Sequence, residues 1–194
     1  MTQKELTVGI LGFQGAFKKH KQAIERLNHK ALIIKYPSEL EKVDALIIPG
    51  GESTTMTKIW DEMGYYALLK KFDKPIFGTC AGSILLSENP HDDRVKALKK
   101  IPASIIRNAY GRQVDSFVDE VRLLFDNKPF KGIFIRAPKI EKIKNGVEIL
   151  GIHNDVPVFI KFDKYIATTF HPELTDDLRI HKYFIENICL KEKD

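Results

Sequence analysis

An α/β fold with an open mixed, mainly parallel sheet flanked by helices is what this sequence predicts, and three observations carry that expectation. Through the first half, short apolar runs alternate with amphipathic stretches, the strand, helix, strand order of a parallel sheet with crossover helices. After Ser87 the pattern changes to closely spaced β-rich runs, so the second half is strand-dense. The residue types that carry chemistry follow the apolar runs, at the carboxyl ends of strands, where open α/β sheets place their sites.

Leu6 to Gly12 reads as the first strand, Phe17 to Leu27 as an amphipathic helix, and Ala31 to Tyr36 as the second strand. Ala45 to Ile48 follows as a buried strand, then a helix near Thr54 to Phe72, then the strand Ile76 to Thr79. Beyond Ser87, strands are expected at Ala103 to Arg107, Phe117 to Leu124, Gly132 to Arg136, Val147 to His153, Val156 to Phe162 and Tyr165 to Phe170. Asn154-Asp155 between two of them suggests a tight hairpin. Thr175 to Leu190 closes the chain as a helix with Phe184, Ile185 and Ile188 on its inner face. The stretch from Glu88 to Ala103, with its Lys-rich run, reads as a solvated loop. With no internal repeat and no linker, residues 1–194 are expected to form one domain.

Composition narrows the function. At 194 residues and 43% hydrophobic the chain can bury a substantial core. Its net charge of +5 comes from 31 Lys and Arg spread along the sequence, a pattern of solvated faces rather than a nucleic-acid stripe. Two cysteines exclude a disulfide framework, and a reactive thiol wants a reducing compartment, so a cytoplasmic location is expected. No stretch approaches the ~20 apolar residues of a membrane span. Gly9, Gly12 and Gly15 follow the first strand, but G-x-x-G-x-x-G is not the dinucleotide fingerprint, and no P-loop lysine and serine follow. No cofactor is expected.

The most informative run is Gly78-Thr79-Cys80-Ala81-Gly82. A strand that turns sharply into a helix strains its corner residue, so glycines flank the corner while its side chain projects outward. The following helix aims unpaired N–H groups at the sulfur, an arrangement suited to a thiolate that attacks carbonyl carbon. By itself such a run is equally compatible with a small buried cysteine. A thiolate nucleophile also needs a base, and Tyr165 to Phe170 ends in His171-Pro172-Glu173. Pro172 holds His171 out of the helical region, and in extended chain His171 and Glu173 share one face. The carboxylate then orients the imidazole, as in a Cys-His-acid triad. A metal site is the competing reading of His-x-Glu, but no third ligand cluster has matching spacing. The third piece is Pro49-Gly50-Gly51-Glu52-Ser53-Thr54-Thr55, after the strand Asp44 to Ile48. An acyl-transfer site needs oxyanion donors from the residue after the nucleophile and from a neighbouring loop, and the N–H groups of Ala81 and Gly51 fit. Alone, the glycine pair would read as a turn before a helix capped by Ser53 or Thr54.

In this order, PGGEST, GTCAG and FHPEL resemble the class I, triad-type glutamine amidotransferases. Leu11-Gly12-Phe13-Gln14-Gly15-Ala16, Arg107-Asn108-Ala109-Tyr110-Gly111-Arg112-Gln113, Phe134-Ile135-Arg136-Ala137-Pro138 and His171-Pro172-Glu173-Leu174-Thr175 narrow the resemblance to glutaminase subunits of pyridoxal 5′-phosphate synthase, from about Val8 to Ile188. The resemblance implies a flavodoxin-like core and hydrolysis of L-glutamine to L-glutamate and ammonia through a cysteine thioester. Cys80, His171 and Glu173 would be catalytic, with Gly51 and Ala81 forming the oxyanion hole. It implies that Glu52 meets the substrate ammonium, that Arg107 and Arg136 meet its carboxylate or stiffen the pocket wall, and that Ser53 and the Ile135 backbone complete the pocket. Gln14 would be an activation or interface residue, and no metal or cofactor is implied. The implied partner is a (β/α)-barrel synthase subunit that consumes the ammonia; neither nucleic acid nor a membrane is implied. Two other readings stay open: a non-catalytic regulatory subunit of the same fold, and a stand-alone cysteine-elbow stress protein. Ser83 departs from the family pattern, which usually has a bulky apolar residue there. His20, His29, His153 and His181 have no acid at triad spacing.

Overall fold

The computed structural model of the chain describes residues 4–107 and 116–193. Twelve strands and five helices run through these residues: β1 (Thr7–Leu11), α1 (Phe17–Arg26), β2 (Lys30–Ile34), β3 (Ala45–Ile48), α2 (Ser53–Glu62), α3 (Tyr65–Lys71), β4 (Ile76–Thr79) and α4 (Ala81–Leu86). They continue with β5 (Ser87–Asn89), β6 (Ile101–Ile106), β7 (Ser116–Leu123), β8 (Pro129–Ile135), β9 (Lys139–Ile143), β10 (Glu148–His153), β11 (Val156–Phe162), β12 (Tyr165–Thr168) and α5 (Arg179–Tyr183). Short 3₁₀ turns occur at Pro37–Lys42, Pro172–Leu174 and Lys191–Lys193.

Among the described residues, nine strands form one sheet in the order β2-β1-β3-β4-β12-β11-β10-β7-β8. The first five are parallel, in the flavodoxin-like order. From β12 onward every junction is antiparallel. A smaller sheet has the order β5-β6-β9, and its Ile101, Ala103, Ile105 and Ile140 join the same core as Ile160 and Ala167 of the large one.

The parallel strands read as continuous apolar runs because both their faces are covered. Side chains alternate between the faces: Ile10, Ile47, Phe77 and Ile166 pack with Ile24 of α1 and with Ile180, Phe184 and Ile188 of the C-terminal helix. Leu11, Leu46, Ile48, Ile76 and Ala167 pack with Met56, Trp60, Tyr65, Ile84 and Leu85 from α2, α3 and α4. Each fully buried aliphatic side chain here contributes roughly 1.5–3 kcal/mol relative to an exposed one.

Register positions the site. Ile48 of β3 pairs with Gly78 of β4, and Thr79 of β4 pairs with Thr168 of β12. The chain segments leaving β3, β4 and β12 therefore emerge together at one edge of the sheet, bringing Gly50, Cys80 and His171 into one place from positions far apart in sequence.

The expected strands are present, β3, β4 and β11 with the expected bounds and the others with shifted ends, and the Asn154-Asp155 turn joins β10 to β11 with both residues at positive φ (46° and 61°), as a type I′ hairpin requires. Three expectations about the elements needed correction. The helix expected near Thr54 to Phe72 is two helices, because Gly64 takes a left-handed conformation (φ 74°) between them. The closing helix begins at Arg179 rather than Thr175: the Asp177 carboxylate accepts the Arg179 backbone N–H at 3.0 Å and its guanidinium, holding the preceding residues in a turn. Beyond Tyr183 it widens into a π-helical stretch, Phe184–Cys189. The stretch from Glu88 to Ala103 is not merely a solvated loop. It carries β5, buries Val95, Ala97 and Leu98, and ties Leu98 N–H to the Leu85 carbonyl at 2.7 Å. Strand β9 had no expected counterpart.

Candidate active site

Cys80 stands where β4 turns into α4, with φ 49° and ψ −109°. No side chain adopts that backbone without cost. It persists because both ends are clamped: Cys80 N–H donates to the Thr168 carbonyl of β12 at 2.8 Å, and the Cys80 carbonyl accepts from Ser83 N–H at 3.0 Å and Ser83 Oγ at 2.6 Å. Ser83 is fully buried and donates its hydroxyl to the elbow carbonyl. The flanking glycine is sterically required. A Cβ on Gly82 would lie 2.0 Å from the Ile48 carbonyl oxygen, because α4 starts in direct contact with the end of β3. Gly82→Ala is therefore expected to destabilise the protein by on the order of 3 kcal/mol or more, read from denaturant melts.

His171 follows β12 with φ −106° and ψ 86°, outside both the helical and the extended regions, its N–H bonded to the Ile133 carbonyl of β8 at 2.9 Å. Pro172–Leu174 then turns as a 3₁₀ helix rather than continuing extended as expected, yet the turn still brings the pair together: His171 Nδ1 and Glu173 Oε1 are 2.8 Å apart. The Glu173 side chain has no exposure, while the imidazole opens slightly toward the cleft. Burial pulls the His171 pKa down, but hydrogen bonds to Cys80 and Glu173 and the negative charge of both outweigh it and raise it to about 10. Burial likewise opposes ionisation of Glu173, and the nearby His20 and the bonded His171 overcome it, holding the carboxyl down to about 2.

A cleft of ≈ 540 Å³ opens over this pair. Gln14, Gly51, Glu52, Ser53, Cys80, Ala81, Arg107, Ile135, Arg136 and His171 all line it. Glu173 lies behind His171, out of the cleft. The sulfur faces the Ile135 carbonyl at 3.8 Å. Gly50 is wedged into the centre: a Cβ there would meet His171 Cε1 at 2.6 Å and Cys80 Cβ at 3.3 Å. Gln14 braces the neighbouring peptide, its Oε1 accepting from Glu52 N–H at 2.8 Å while its side chain lies across Gly51.

Glu52 is more engaged than its sequence position suggested. It, rather than Ser53 or Thr54, caps α2, accepting from Thr55 N–H at 2.9 Å, Thr55 Oγ1 at 2.8 Å and Thr54 Oγ1. Arg107 sits 2.9 Å from its other oxygen and 3.5 Å from Asp92. Burial works against the Glu52 charge, but those hydroxyl and backbone donors and the Arg107 cation hold its carboxyl down to about 2. Arg136 lies at positive φ (41°) and is exposed at the cleft. Of the Arg107 to Gln113 run, residues 108–113 lie outside the described residues.

Two histidines without an acid at triad spacing acquire one from the tertiary fold. His153 Nε2 meets Asp119 at 2.8 Å across β10 and β7. His20 of α1 reaches Glu173, with His181 of α5 behind it. The signal in the sequence was positional: His20 falls between Phe17 and Ile24 on the apolar side of α1, and His181 beside Ile180 on that of α5. Among the described residues no three His, Cys, Asp or Glu side chains converge as a metal cradle.

A cysteine elbow at the carboxyl edge of a flavodoxin-like sheet, met there by a His-Glu pair from the last strand, is the architecture of the glutamine amidotransferases. A solved glutamine amidotransferase superposes with a TM-score of 0.85 at 40% identity, covering 92% of this chain and 97% of the other. A glutamine amidotransferase from Thermotoga maritima shares the fold at 14% identity, with a TM-score of 0.60 over 98% of this chain and 86% of that one. The chain belongs to the SNO glutamine amidotransferase family, whose model matches residues 10–190. Among curated relatives, the pyridoxal 5′-phosphate synthase subunit PdxT of Fervidobacterium nodosum is 44% identical over 186 residues, 94% of this chain and 97% of the relative. The PdxT subunit of Thermotoga neapolitana is 46% identical over 187 residues, 94% of this chain and 100% of the relative.

Proposed function

We propose that this chain, acting as one domain, is the glutaminase subunit of a pyridoxal 5′-phosphate synthase, hydrolysing L-glutamine and passing ammonia to a synthase subunit. The observation that carries the proposal is the meeting of Cys80, His171 and Glu173 at a cleft whose walls come from the β1, β3 and β8 ends. In this reading the Cys80 thiolate attacks the side-chain amide carbon of glutamine, and the oxyanion is held by the N–H groups of Gly51 and Ala81. His171, charged as imidazolium, gives its proton to the departing ammonia as the thioester forms. The neutral imidazole then takes a proton from water, hydroxide attacks the thioester, and glutamate leaves with Cys80 restored. Glu173 orients His171 and stabilises its charge throughout.

The substrate's α-ammonium and α-carboxylate distinguish it from other primary amides, and opposite charges read them best. Glu52 is assigned to the ammonium, and Arg107 and Arg136 to the carboxylate or the pocket wall, with Ser53 and the Ile135 backbone beside them. Because the Glu52-Arg107 pair is already formed at 2.9 Å, substrate charges enter a site that is pre-organised. Arg107→Ala is expected to raise KM for glutamine roughly ten-fold or more with a smaller change in kcat, measured by glutamate release.

Ammonia set free in water would be protonated and lost, which favours direct transfer to a (β/α)-barrel synthase subunit in a hetero-oligomeric, cytoplasmic complex with no need of metal, nucleic acid or membrane. Gln14, which braces Gly51 and Glu52, is assigned to activation: docking of the partner shifts the Gly50-Gly51 peptide into its oxyanion position, so the chain alone is a poor glutaminase. The test measures glutamate release by wild type and Cys80→Ala, each alone and with the synthase subunit. Release that depends on Cys80 and is stimulated by the partner is expected. Rapid partner-independent turnover would remove the coupling, and no turnover in the complex would leave a binding or regulatory role.

A further inference from the structure

Behind Glu173, on the side away from the cleft, lies a buried pair of histidines that the hydrolysis scheme does not use. His20 of α1 and His181 of α5 both have no exposure. His20 Nε2 lies 3.5 Å from Glu173 Oε2 and 3.3 Å from Thr79 Oγ1, and His20 Nδ1 lies 3.0 Å from His181 Nε2. The Phe77 ring packs edge-on against both imidazoles, 6.1 Å and 5.7 Å between centroids, so the pair sits in an apolar wall. Glu173 Oε1 is taken by His171, and Oε2 is a buried oxygen with no hydrogen-bond partner at ordinary length. A buried carboxylate oxygen in that position is costly unless a donor faces it.

One proton arrangement answers that need. A neutral imidazole has one donor and one acceptor nitrogen. If His20 carries its proton on Nε2, facing Oε2, then His20 Nδ1 is an acceptor and His181 must donate from Nε2. His181 Nδ1 is then a bare lone pair, which agrees with its having no partner in the buried interior. The reverse arrangement would aim a lone pair at the carboxylate. We propose that His20, with its tautomer set by His181, is a positioning residue that directs an N–H at the second oxygen of Glu173 and so fixes the carboxylate that orients His171.

The inference rests on the glutaminase reading for its kinetic consequence. The groups facing the dyad are Glu173 and His171 from the segment after β12, Thr79 from β4, and each imidazole toward the other. Desolvation lowers the pKa of His20 against the pull of Glu173 and lowers that of His181 to about 3, in keeping with the neutral dyad that this proton arrangement requires. Losing the donor to Glu173 makes that carboxylate easier to protonate and a weaker partner for imidazolium.

Two measurements test this. In wild type at neutral pH, two-bond ¹H–¹⁵N correlation of ¹⁵N-histidine-labelled protein should show His20 and His181 neutral with the proton on Nε2. A charged His20, or one protonated on Nδ1, overturns the proposal without any variant. In the synthase complex, His20→Leu should lower kcat for glutamine hydrolysis roughly ten- to a hundred-fold with KM nearly unchanged. Its pH profile should narrow, the acid limb rising and the alkaline limb falling, and His20→Gln, whose amide keeps a donor near the Nε2 position, should recover most of the rate. A folded His20→Leu with wild-type kcat and limbs, or a folded His20→Gln no better than it, overturns the proposal. If His20→Leu does not fold, the tautomer decides. A wild-type complex that releases no glutamate would instead sink the glutaminase reading and leave the tautomer result standing.

Discussion

Cys80→Ala is expected to lower glutamine hydrolysis by on the order of 10⁴-fold or more, with the sheet and the cleft intact. Without the sulfur there is no thioester, and the remaining groups can only polarise the amide and position water. The same position gives a second, opposite-looking readout. At φ 49° and ψ −109° the elbow residue is strained whatever its side chain. In helix and strand interiors alanine is more stable than glycine, but at this positive-φ corner the order should reverse. Cys80→Gly is expected to be more stable than Cys80→Ala by about 1 kcal/mol, although neither hydrolyses glutamine. Paired thermal melts and glutamate assays measure both. An alanine variant more stable than the glycine one would mean that the elbow is not strained in solution.

Glu173→Gln is expected to cost on the order of 10³-fold in kcat, because a neutral amide neither favours the required imidazole tautomer nor stabilises the imidazolium. It should also move the alkaline limb of the pH profile down. In the folded protein burial works against the His171 charge, yet bonds to Cys80 and Glu173 raise its pKa from 6.5 to about 10. The pairing therefore contributes stability that is complete below 6.5 and is lost as pH rises through about 10. Glu173 has the opposite sign: burial resists its ionisation, but His20 and His171 hold it at about 2 against an ordinary 4.5. Its contribution is complete above 4.5 and lost as pH falls toward 2. Stability measured against pH should thus be flat across the neutral range in wild type and should lose its alkaline shoulder in Glu173→Gln. An unchanged alkaline limb in the variant would remove Glu173 from this role.

Most of the parallel half of the fold was legible because its signals are local. β3 and β4 have the boundaries expected from their apolar runs, and the glycines around Cys80 announce a turn that few other residues tolerate. The helix expected over Thr54 to Phe72 failed at Gly64 because a single glycine inside a helical pattern is ambiguous: it is tolerated within a helix or terminates one, and packing of α3 against the core decided here. Strand β9 escaped notice because three of the five residues of Lys139–Ile143 are charged and it reads as a strand only once β6 pairs with it. The stretch around Val95 and Leu98 looked solvated for the same reason: its few apolar residues gain meaning from the Leu85 carbonyl and the core they dock on.

The sequence by itself determined the chemistry-bearing residues, since an elbow, a His-x-Glu and a double-glycine loop are short motifs whose geometry is set by neighbouring backbone. It also determined that these motifs follow strands. Only the tertiary structure decided how they meet and what supports them. The pairing of Thr79 with Thr168 sets the distance between Cys80 and His171, and the Glu52 carboxylate became a helix cap bound to Arg107. His20 and His181, 161 positions apart, became neighbours behind Glu173. Contacts of that kind depend on strand order, register and helix docking, which arise from the cooperative burial of the whole core, and no local pattern in the chain encodes them.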